Sequence, residues 1–267
     1  MYNGFIIKEV FGMDIRNRTA ISTGAASGMG LLFAKNFAEG GGNVVMCDIN
    51  ESALKTCVDE INAKDGGRAI GVICDVRDYE QVKAACAKAV EQFGSLDVVA
   101  NFAGGTAVRM LKVDRKKYPE FPDIPIEVYD WGLDVNLRAQ MYFAHAACKY
   151  MREQKRGIVI NIGSITGMEG SGYGVDYATA KSGAMFGLTK SIAQFGENYN
   201  VRCVCISPGP VLTRDAMATM RTLSKRAADP QEIIDLVMFV ISDKGEFING
   251  TNIMIDGGRD ALGRKNY

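Results

Sequence analysis

Seven short apolar runs alternate with longer helical patterns along this chain of 267 residues, and this alternation limits the fold more than any other feature. Apolar runs of this kind are typical of strands in a parallel sheet that is covered on both faces. The predicted strands span residues 19–23, 43–48, 69–74, 96–101, 157–162, 201–206 and 252–255. The predicted helices span residues 29–39, 51–63, 78–93, 127–152, 175–198 and 230–242. The order predicts an α/β chain with a doubly wound, seven-stranded parallel sheet and helices on both faces.

The composition limits the size of the hydrophobic core and the kinds of partner that the chain can bind. Hydrophobic residues make up 47% of the chain, and no linker interrupts it, so we expect one domain over residues 1–267. Lysine and arginine total 31, as do aspartate and glutamate, so no net charge favours nucleic acid or an anionic membrane as a partner. Because the chain has one histidine, His145, and therefore no histidine cluster, we expect no metal site.

The seven cysteines form no C-x-x-C pair, and their odd number would leave one unpaired in a disulfide framework. The sequence shows no secretory signal and no apolar stretch long enough to cross a bilayer. We therefore expect a cytoplasmic protein with no membrane partner. Residues 1–16 precede the first predicted strand and are interpreted as a leader extension.

A glycine-rich turn, Thr23-Gly-Ala-Ala-Ser-Gly-Met-Gly30, follows the first predicted strand and opens the first helix. Glycines there permit a tight turn and a close approach to a pyrophosphate, which the free N–H groups of the helix then face. Such a turn alone is a weak indicator, but Asp48 ends the next strand at about the expected twenty-residue distance. A carboxylate there binds a ribose diol and repels a 2′-phosphate, so NAD is favoured over NADP. The alternative is that Asp48 is an ordinary strand-end or capping residue.

Tyr177 and Lys181 lie four residues apart in the predicted helix 175–198. A helix places such residues on one face, so the ammonium can stabilise the phenolate, which then exchanges protons near neutral pH. Taken alone, the spacing is also that of an ordinary surface pair. The glycine turn upstream favours the catalytic interpretation.

With these features the chain resembles the short-chain dehydrogenase/reductase family, in its NAD-preferring, non-extended branch, from about residue 17 to residue 260. The family's T-G-x-x-x-G-x-G turn is matched from Thr23 to Gly30. Its N-A-A-G signature is matched by Asn101-Phe-Ala-Gly104, in which Phe102 is a departure that crowds the turn. The resemblance implies a single-domain Rossmann fold and hydride transfer between the nicotinamide of NAD and a secondary alcohol or ketone.

The same resemblance implies a catalytic set of Asn136, Ser164, Tyr177 and Lys181. In this set Tyr177 exchanges the proton and Ser164 holds the substrate oxygen. Lys181 lowers the pKa of Tyr177 and holds the nicotinamide ribose, while the amide of Asn136 holds a water that links Lys181 to solvent. The implied cofactor contacts are Thr23, Gly24, Ser27, Gly28, Met29, Gly30, Asp48, Ile49, Asp75, Val76, Asn101, Ala103, Gly104, Tyr177, Lys181, Pro208, Gly209, Val211 and Thr213.

Two irregular stretches, residues 104–126 and 208–228, are expected to shape the substrate pocket. Together they contain nine basic and four acidic residues, which predicts an anionic substrate; the alternative is a solvated rim of flexible side chains. Phe102, Met168 and Tyr173 are further candidates for the pocket wall.

The resemblance also implies a homotetramer whose subunits pair through the helices at about 127–152 and 175–198. The apolar residues expected to support this pairing are Met141, Tyr142, Phe143, Ala146, Ala147, Met185, Phe186 and Leu188. Two other functions remain open. An NADPH-dependent 3-oxoacyl reductase is disfavoured by Asp48, and a non-catalytic dinucleotide-binding regulator is disfavoured by the complete Ser-Tyr-Lys set.

Overall fold

The computed structural model describes residues 15–64 and 68–262. Within them, parallel strands form one seven-stranded sheet in the order β3-β2-β1-β4-β5-β6-β7. The strands are β1 (Thr19–Thr23), β2 (Asn43–Asp48), β3 (Arg68–Ile73), β4 (Val98–Asn101), β5 (Gly157–Ile162), β6 (Val201–Pro208) and β7 (Asn252–Ile255). The predicted α/β fold with a doubly wound parallel sheet is confirmed. Residues 1–14 of the predicted leader lie outside the described residues.

Helices connect the strands and cover both faces of the sheet. They are α1 (Gly28–Glu39), α2 (Glu51–Asn62), α3 (Tyr79–Phe93), α4 (Ala107–Met110), α5 (Ile126–Leu133), α6 (Ala139–Gln154), α7 (Thr166–Glu169), α8 (Val175–Gly183), α9 (Thr189–Gly196) and α10 (Pro230–Ile241). A π-helical turn, Asp134–Arg138, joins α5 to α6, and a second, Ala184–Leu188, joins α8 to α9. The two long helices predicted from sequence are therefore each interrupted by a π-helical turn, a feature that is frequent at functional sites.

Each central strand contributes to two cores, because successive side chains point to opposite faces of a sheet. Val44 and Met46 of β2 belong to the core cluster that contains residues of α1 and α10. Val45 and Cys47 belong to the cluster that contains residues of α3 and α6. All seven cysteines are free and buried, so they pack as small apolar residues.

The order of the strands determines where a ligand can bind. The chain runs outward from β1 to β3 and then returns to place β4 on the other side of β1. A crevice opens at the carboxyl ends of the strands where the direction reverses, and such crevices hold ligands in open parallel sheets. The glycine-rich turn after β1 and the loop after β4 border this crevice. No helix within residues 15–64 and 68–262 is long and apolar enough to cross a membrane.

Candidate active site

A cleft of about 820 Å³ lies at the carboxyl ends of the strands. Its volume is in the range of sites that hold small molecules and cofactors. The predicted cofactor residues that line it are Gly24, Ser27, Gly28, Met29, Gly30, Asp48, Ile49, Asp75, Val76, Ala103, Gly104, Tyr177, Lys181, Pro208, Gly209, Val211 and Thr213. The fold thus brings together predicted residues from six separate parts of the chain.

Thr23 and Asn101, in contrast, lie behind the lining of the cleft. Both side chains are buried, and the hydroxyl oxygen of Thr23 accepts a hydrogen bond of 2.9 Å from the N–H of Ala103. The amide nitrogen of Asn101 donates to the side-chain oxygen of Asn161 over 3.2 Å. These two side chains therefore hold together the strand ends that form the cleft. The sequence predicted that they would contact the cofactor directly.

The glycine-rich turn has the geometry that a pyrophosphate requires. Gly24 and Gly28 have φ angles of 62° and 56°, which L side chains rarely adopt. A Cβ atom added to Gly30 would lie 2.5 Å from the carbonyl oxygen of Gly24, so only glycine permits α1 to start here. Ser27, the N-cap of α1, makes no side-chain cap hydrogen bond. The first N–H groups of α1 thus lack that partner and suit an anion at the edge of the cleft.

Phe102, the departure from the N-A-A-G signature, does not close this turn. Its ring packs 5.5 Å from that of Phe33 on α1, measured between centroids, while it also lines the cleft. The tight contact is made by backbone atoms, since a Cβ on Gly24 would lie 3.1 Å from the Cα of Ala103.

At the other side of the turn, Asp48 is held in place by backbone N–H groups. One carboxylate oxygen accepts a hydrogen bond of 3.0 Å from Ala26 and the other accepts one of 2.9 Å from Asn50. The oxygens keep lone pairs for a ribose diol. Asp75 lies further along this end of the cleft, and hydrogen bonds from Arg77 hold the pKa of its carboxyl below the usual range.

Ser164, Tyr177 and Lys181 converge at the opposite end of the cleft. As the four-residue spacing predicts, Tyr177 and Lys181 share one face of α8, and the Lys181 Nζ atom lies 5.5 Å from the centroid of the Tyr177 ring. Lys181 is only 3% exposed, and its ammonium donates to the carbonyl oxygen of Ile162 over 2.7 Å. Ser164 follows β5, and its side chain lies close enough to Tyr177 to lower the pKa of that phenol.

Burial controls the protonation of this group. Burial raises the pKa of Tyr177, and the rise is opposed by the side chain of Ser164 and by the positive charges of Arg214 and Arg109. Burial also lowers the pKa of Lys181 to about 8. Arg109 and Arg214 are thus two cations near Tyr177 in addition to Lys181, to which the resemblance assigns the lowering of the phenol pKa.

Asn136 is buried, and its side chain is hydrogen-bonded to the backbone around it. It lies in the π-helical turn, and its amide nitrogen donates to the carbonyl oxygens of Gly132, over 2.8 Å, and Gly105, over 2.9 Å. Its side-chain oxygen accepts a hydrogen bond of 3.0 Å from the N–H of Gly105. Both amide protons are used by the protein, so the side chain anchors the loop after β4.

Asp176, directly before Tyr177, is a buried carboxyl next to the site that sequence reasoning missed. It is buried, and burial raises the pKa of its carboxyl. The carboxyl packs so closely on α5 that a Cβ atom added to Gly132 would lie 1.8 Å from one of its oxygens. Its position directly before the tyrosine is the only signal in the sequence.

The pocket wall differs from the expected one. Phe102 lines the cleft, but Met168 and Tyr173 do not. The hydroxyl of Tyr173 donates to the carbonyl oxygen of Tyr118 over 2.9 Å, and its ring faces the guanidinium of Arg115 at 4.1 Å. The cleft is also lined by Met110, Trp131, Met217, Met220, Arg109 and Arg214. The described residues contain no cluster of three or more side chains able to hold a metal ion.

Comparisons with known proteins agree with this geometry. A family model described as short chain dehydrogenase matches residues 18–223. A trans-4-hydroxycyclohexanecarboxylate dehydrogenase of Sinomonas cyclohexanicum is 35% identical, over 92% of this chain and 94% of that protein. A 3-oxoacyl-acyl-carrier-protein reductase, FabG, of Chlamydia muridarum is 31% identical, over 91% of this chain and 97% of that protein. A 3beta-hydroxysteroid dehydrogenase of Eggerthella lenta is also 31% identical, over 92% and 96% of the two chains.

The matched range includes the glycine-rich turn, Ser164, Tyr177 and Lys181. The family is one whose members bind a nicotinamide dinucleotide. The chain therefore belongs to the short-chain dehydrogenase family and is an oxidoreductase that acts on alcohol or ketone groups.

Proposed function

We propose that the chain is an NAD-dependent dehydrogenase that transfers a hydride between nicotinamide and a secondary alcohol or ketone. The observation that carries the proposal is the cleft itself. Ser164, Tyr177 and Lys181 meet at one end, and the glycine-rich turn and Asp48 form the other. We assign the catalytic roles to Ser164, Tyr177 and Lys181. Asn136 anchors the loop after β4, which lies between the two ends of the cleft.

When bound, NAD supplies the nicotinamide carbon that accepts the hydride from the substrate. The Tyr177 oxygen takes the proton of the substrate hydroxyl during oxidation and returns it during reduction. Ser164 donates a hydrogen bond to the substrate oxygen and stabilises its developing charge. A Cβ atom on Gly104 would lie 2.8 Å from the Asn136 side-chain oxygen and 3.5 Å from the Lys181 Nζ atom. Asn136 therefore keeps the loop where the ammonium of Lys181 can approach the ribose and the phenol.

The enzyme is proposed to prefer NAD over NADP, because the oriented carboxylate of Asp48 repels a 2′-phosphate. The guanidinium of Arg77 lines this end of the cleft, but it pairs with Asp75. Asp48→Asn keeps the shape and removes the charge, so it should narrow the ratio of NADP to NAD dissociation constants by about tenfold. The dissociation constants are measured by fluorescence titration with the reduced cofactors.

Asp59→Asn is the control for Asp48→Asn, because it removes an exposed carboxylate from α2, outside the lining of the cleft. It should leave the ratio of the two constants unchanged. A wild-type protein that binds NADPH more tightly would contradict the proposal and favour the alternative, a reductase resembling the 31% identical FabG relative. The non-catalytic regulator is disfavoured because the Ser-Tyr-Lys set is complete and its three residues line one cleft.

The substrate is proposed to be anionic. The relative from Sinomonas cyclohexanicum is named for a substrate that carries both a secondary hydroxyl and a carboxylate. In this chain Arg109 and Arg214 line the tyrosine end of the cleft. A screen with NAD and NADP across hydroxy acids, sugars, hydroxysteroids and acyl thioesters tests the function, with formation of reduced cofactor as the readout. Turnover of neutral alcohols alone would refute the anionic substrate, and no turnover of any class would refute the dehydrogenase.

A homotetramer is the proposed assembly, and the structure narrows the surface that supports it. Phe143, Ala146, Ala147 and Met185 are buried in the subunit itself. Met141 and Phe186 remain 47% and 41% exposed, on the long helical segments expected to pair. Sedimentation at micromolar concentration should show a tetramer, and Met141→Glu or Phe186→Glu should reduce its mass because a charge would enter an apolar contact. A wild-type monomer would contradict the proposal.

The reducing cytoplasm is the proposed location. All seven cysteines are free, and Cys47 and Cys74 have neighbouring side chains without forming a disulfide. Cell fractionation of the native organism provides the test, and recovery of the protein in a secreted fraction would contradict it.

A further inference from the structure

We propose that Arg109 and Arg214 form a two-sided clamp for one carboxylate of a compact apolar substrate. This inference rests on the proposed dehydrogenase function and adds the residues that select the substrate. The two side chains come from separate segments: Arg109 lies in α4, and Arg214 precedes the short helical turn Asp215–Met217. Both line the cleft that contains Tyr177.

The position of both guanidinium groups is tied to Tyr177. Each is close enough for its positive charge to lower the pKa of that phenol. Arg109 folds back over its own loop, since a Cβ atom added to Gly105 would lie 3.1 Å from an Nη atom of Arg109. The Nη2 atom of Arg214 lies 3.8 Å from the sulfur of Met217, which also lines the cleft. A group held by both arginines would therefore lie near the reacting oxygen.

Neither arginine has a carboxylate partner among the described residues, and this distinguishes the pair from its basic neighbours. Arg226, in the same segment as Arg214, forms two hydrogen bonds with Glu232. Arg115, in the same segment as Arg109, stacks on Tyr173 at 4.1 Å. Of the nine basic residues in the two irregular segments, only Arg109 and Arg214 line the cleft. Of the basic residues in these two segments, the ones at the site are therefore two guanidinium groups that have no carboxylate partner in the described part of the chain.

Within residues 15–64 and 68–262, the lining of the cleft places no acidic residue beside the pair. Among the described residues, the acidic ones that line the cleft are Asp48, which ends β2, and Asp75, which follows β3, both at its other end. Guanidinium groups bind carboxylates through short, charge-assisted hydrogen bonds, frequently in pairs. A carboxylate between Arg109 and Arg214 would satisfy both and would join the two segments across the cleft entrance.

The apolar part of the wall indicates the rest of the substrate. Met110 is adjacent to Arg109, while Met217 and Met220 follow Arg214, and all three line the cleft. Methionine side chains adapt their shape to saturated groups. The chemistry of the wall therefore suits a small alicyclic or aliphatic hydroxy acid with one negative charge.

The clamp is tested by binding, independently of turnover. The protein is saturated with NADH and titrated with cyclohexanecarboxylate or cyclohexanecarboxamide in a calorimeter; the two probes share a body and differ in charge. The carboxylate should bind at least about tenfold more tightly than the amide. Arg109→Gln and Arg214→Gln should each weaken carboxylate binding by about tenfold or more and change amide binding by less than about twofold.

Arg115→Gln is the matched control, because it removes the same charge from the segment of Arg109 but outside the cleft lining. It should leave carboxylate binding unchanged. Equal affinities for the two probes would overturn the clamp. An equal loss of carboxylate affinity in Arg115→Gln would also overturn it, because the attraction would then come from the overall positive charge of the segments. A parallel loss of NADH affinity in Arg214→Gln would also overturn it, by assigning that arginine to the cofactor phosphates. A carboxylate preference in a protein that oxidises no alcohol would support the clamp and refute the proposed function instead.

Discussion

Tyr177→Phe should fold and bind NADH normally yet lose turnover by about a thousandfold or more, the range that positioned acid–base groups contribute. The substitution removes one oxygen and keeps the ring that lies against the Lys181 ammonium, at 5.5 Å from the centroid. Without that oxygen, nothing at the site accepts the proton of the substrate hydroxyl as the hydride leaves. The measurement is kcat with a substrate from the screen, combined with an NADH titration and a thermal melt.

The chain supplies a matched control in Tyr173, four residues upstream. Its hydroxyl donates to the carbonyl oxygen of Tyr118, and its side chain does not line the cleft. Tyr173→Phe removes the same oxygen from the same region, so it should cost some stability and leave kcat within a few-fold of wild type. Retained turnover in Tyr177→Phe, or an equal loss in both variants, would remove Tyr177 from its assigned role.

The parts of the molecule that sequence predicted correctly are those set by local pattern. A buried strand is short and apolar on both faces, so its signal lies within its own residues, and β1, β2, β5 and β7 begin and end where predicted. The glycine-rich turn is equally local, because Gly24 and Gly28 need unusual φ angles and Gly30 needs close packing. Their place in the cleft then follows from the strand order.

What sequence did not predict depends on contacts between distant segments. Nothing in the sequence around Asn136 indicated that its side-chain amide would form hydrogen bonds with the backbone of Gly105, 31 positions earlier. Met110 lines the cleft and Met168 does not, because the paths of the loops decide which side chain reaches it. Met185 was expected at a subunit contact and is instead buried against its own subunit, where a Cβ atom on Gly163 would lie 2.7 Å from it. In each case the decisive partner comes from a segment that is remote in sequence.

Lys181→Met should lose turnover by about a hundredfold or more and yet be at least as stable as wild type near neutral pH. The folded pKa of about 8 lies below the ordinary 10.5, so the folded protein binds fewer protons than the unfolded chain between these pH values. The free energy of unfolding therefore rises with pH between about 8 and 10.5. At pH values below about 8, the buried ammonium lowers that free energy by roughly 3 kcal/mol at most. Methionine removes that cost, although the carbonyl oxygen of Ile162 loses its donor.

The pH dependence separates this catalytic role of Lys181 from a structural one. Without the ammonium beside it, the phenol of Tyr177 ionises only at higher pH, so the remaining oxidation activity of Lys181→Met should have an optimum shifted toward alkaline pH. Lys190→Met is the control, because Lys190 is an exposed lysine further along the same long helical segment, in α9, and should alter neither profile nor rate. The measurements are kcat against pH and denaturant unfolding at pH 7 and pH 9 for all three proteins. An unchanged pH profile with reduced stability in Lys181→Met would show that the lysine supports the fold, and that the tyrosine depends on Arg109 and Arg214 alone for its charge environment.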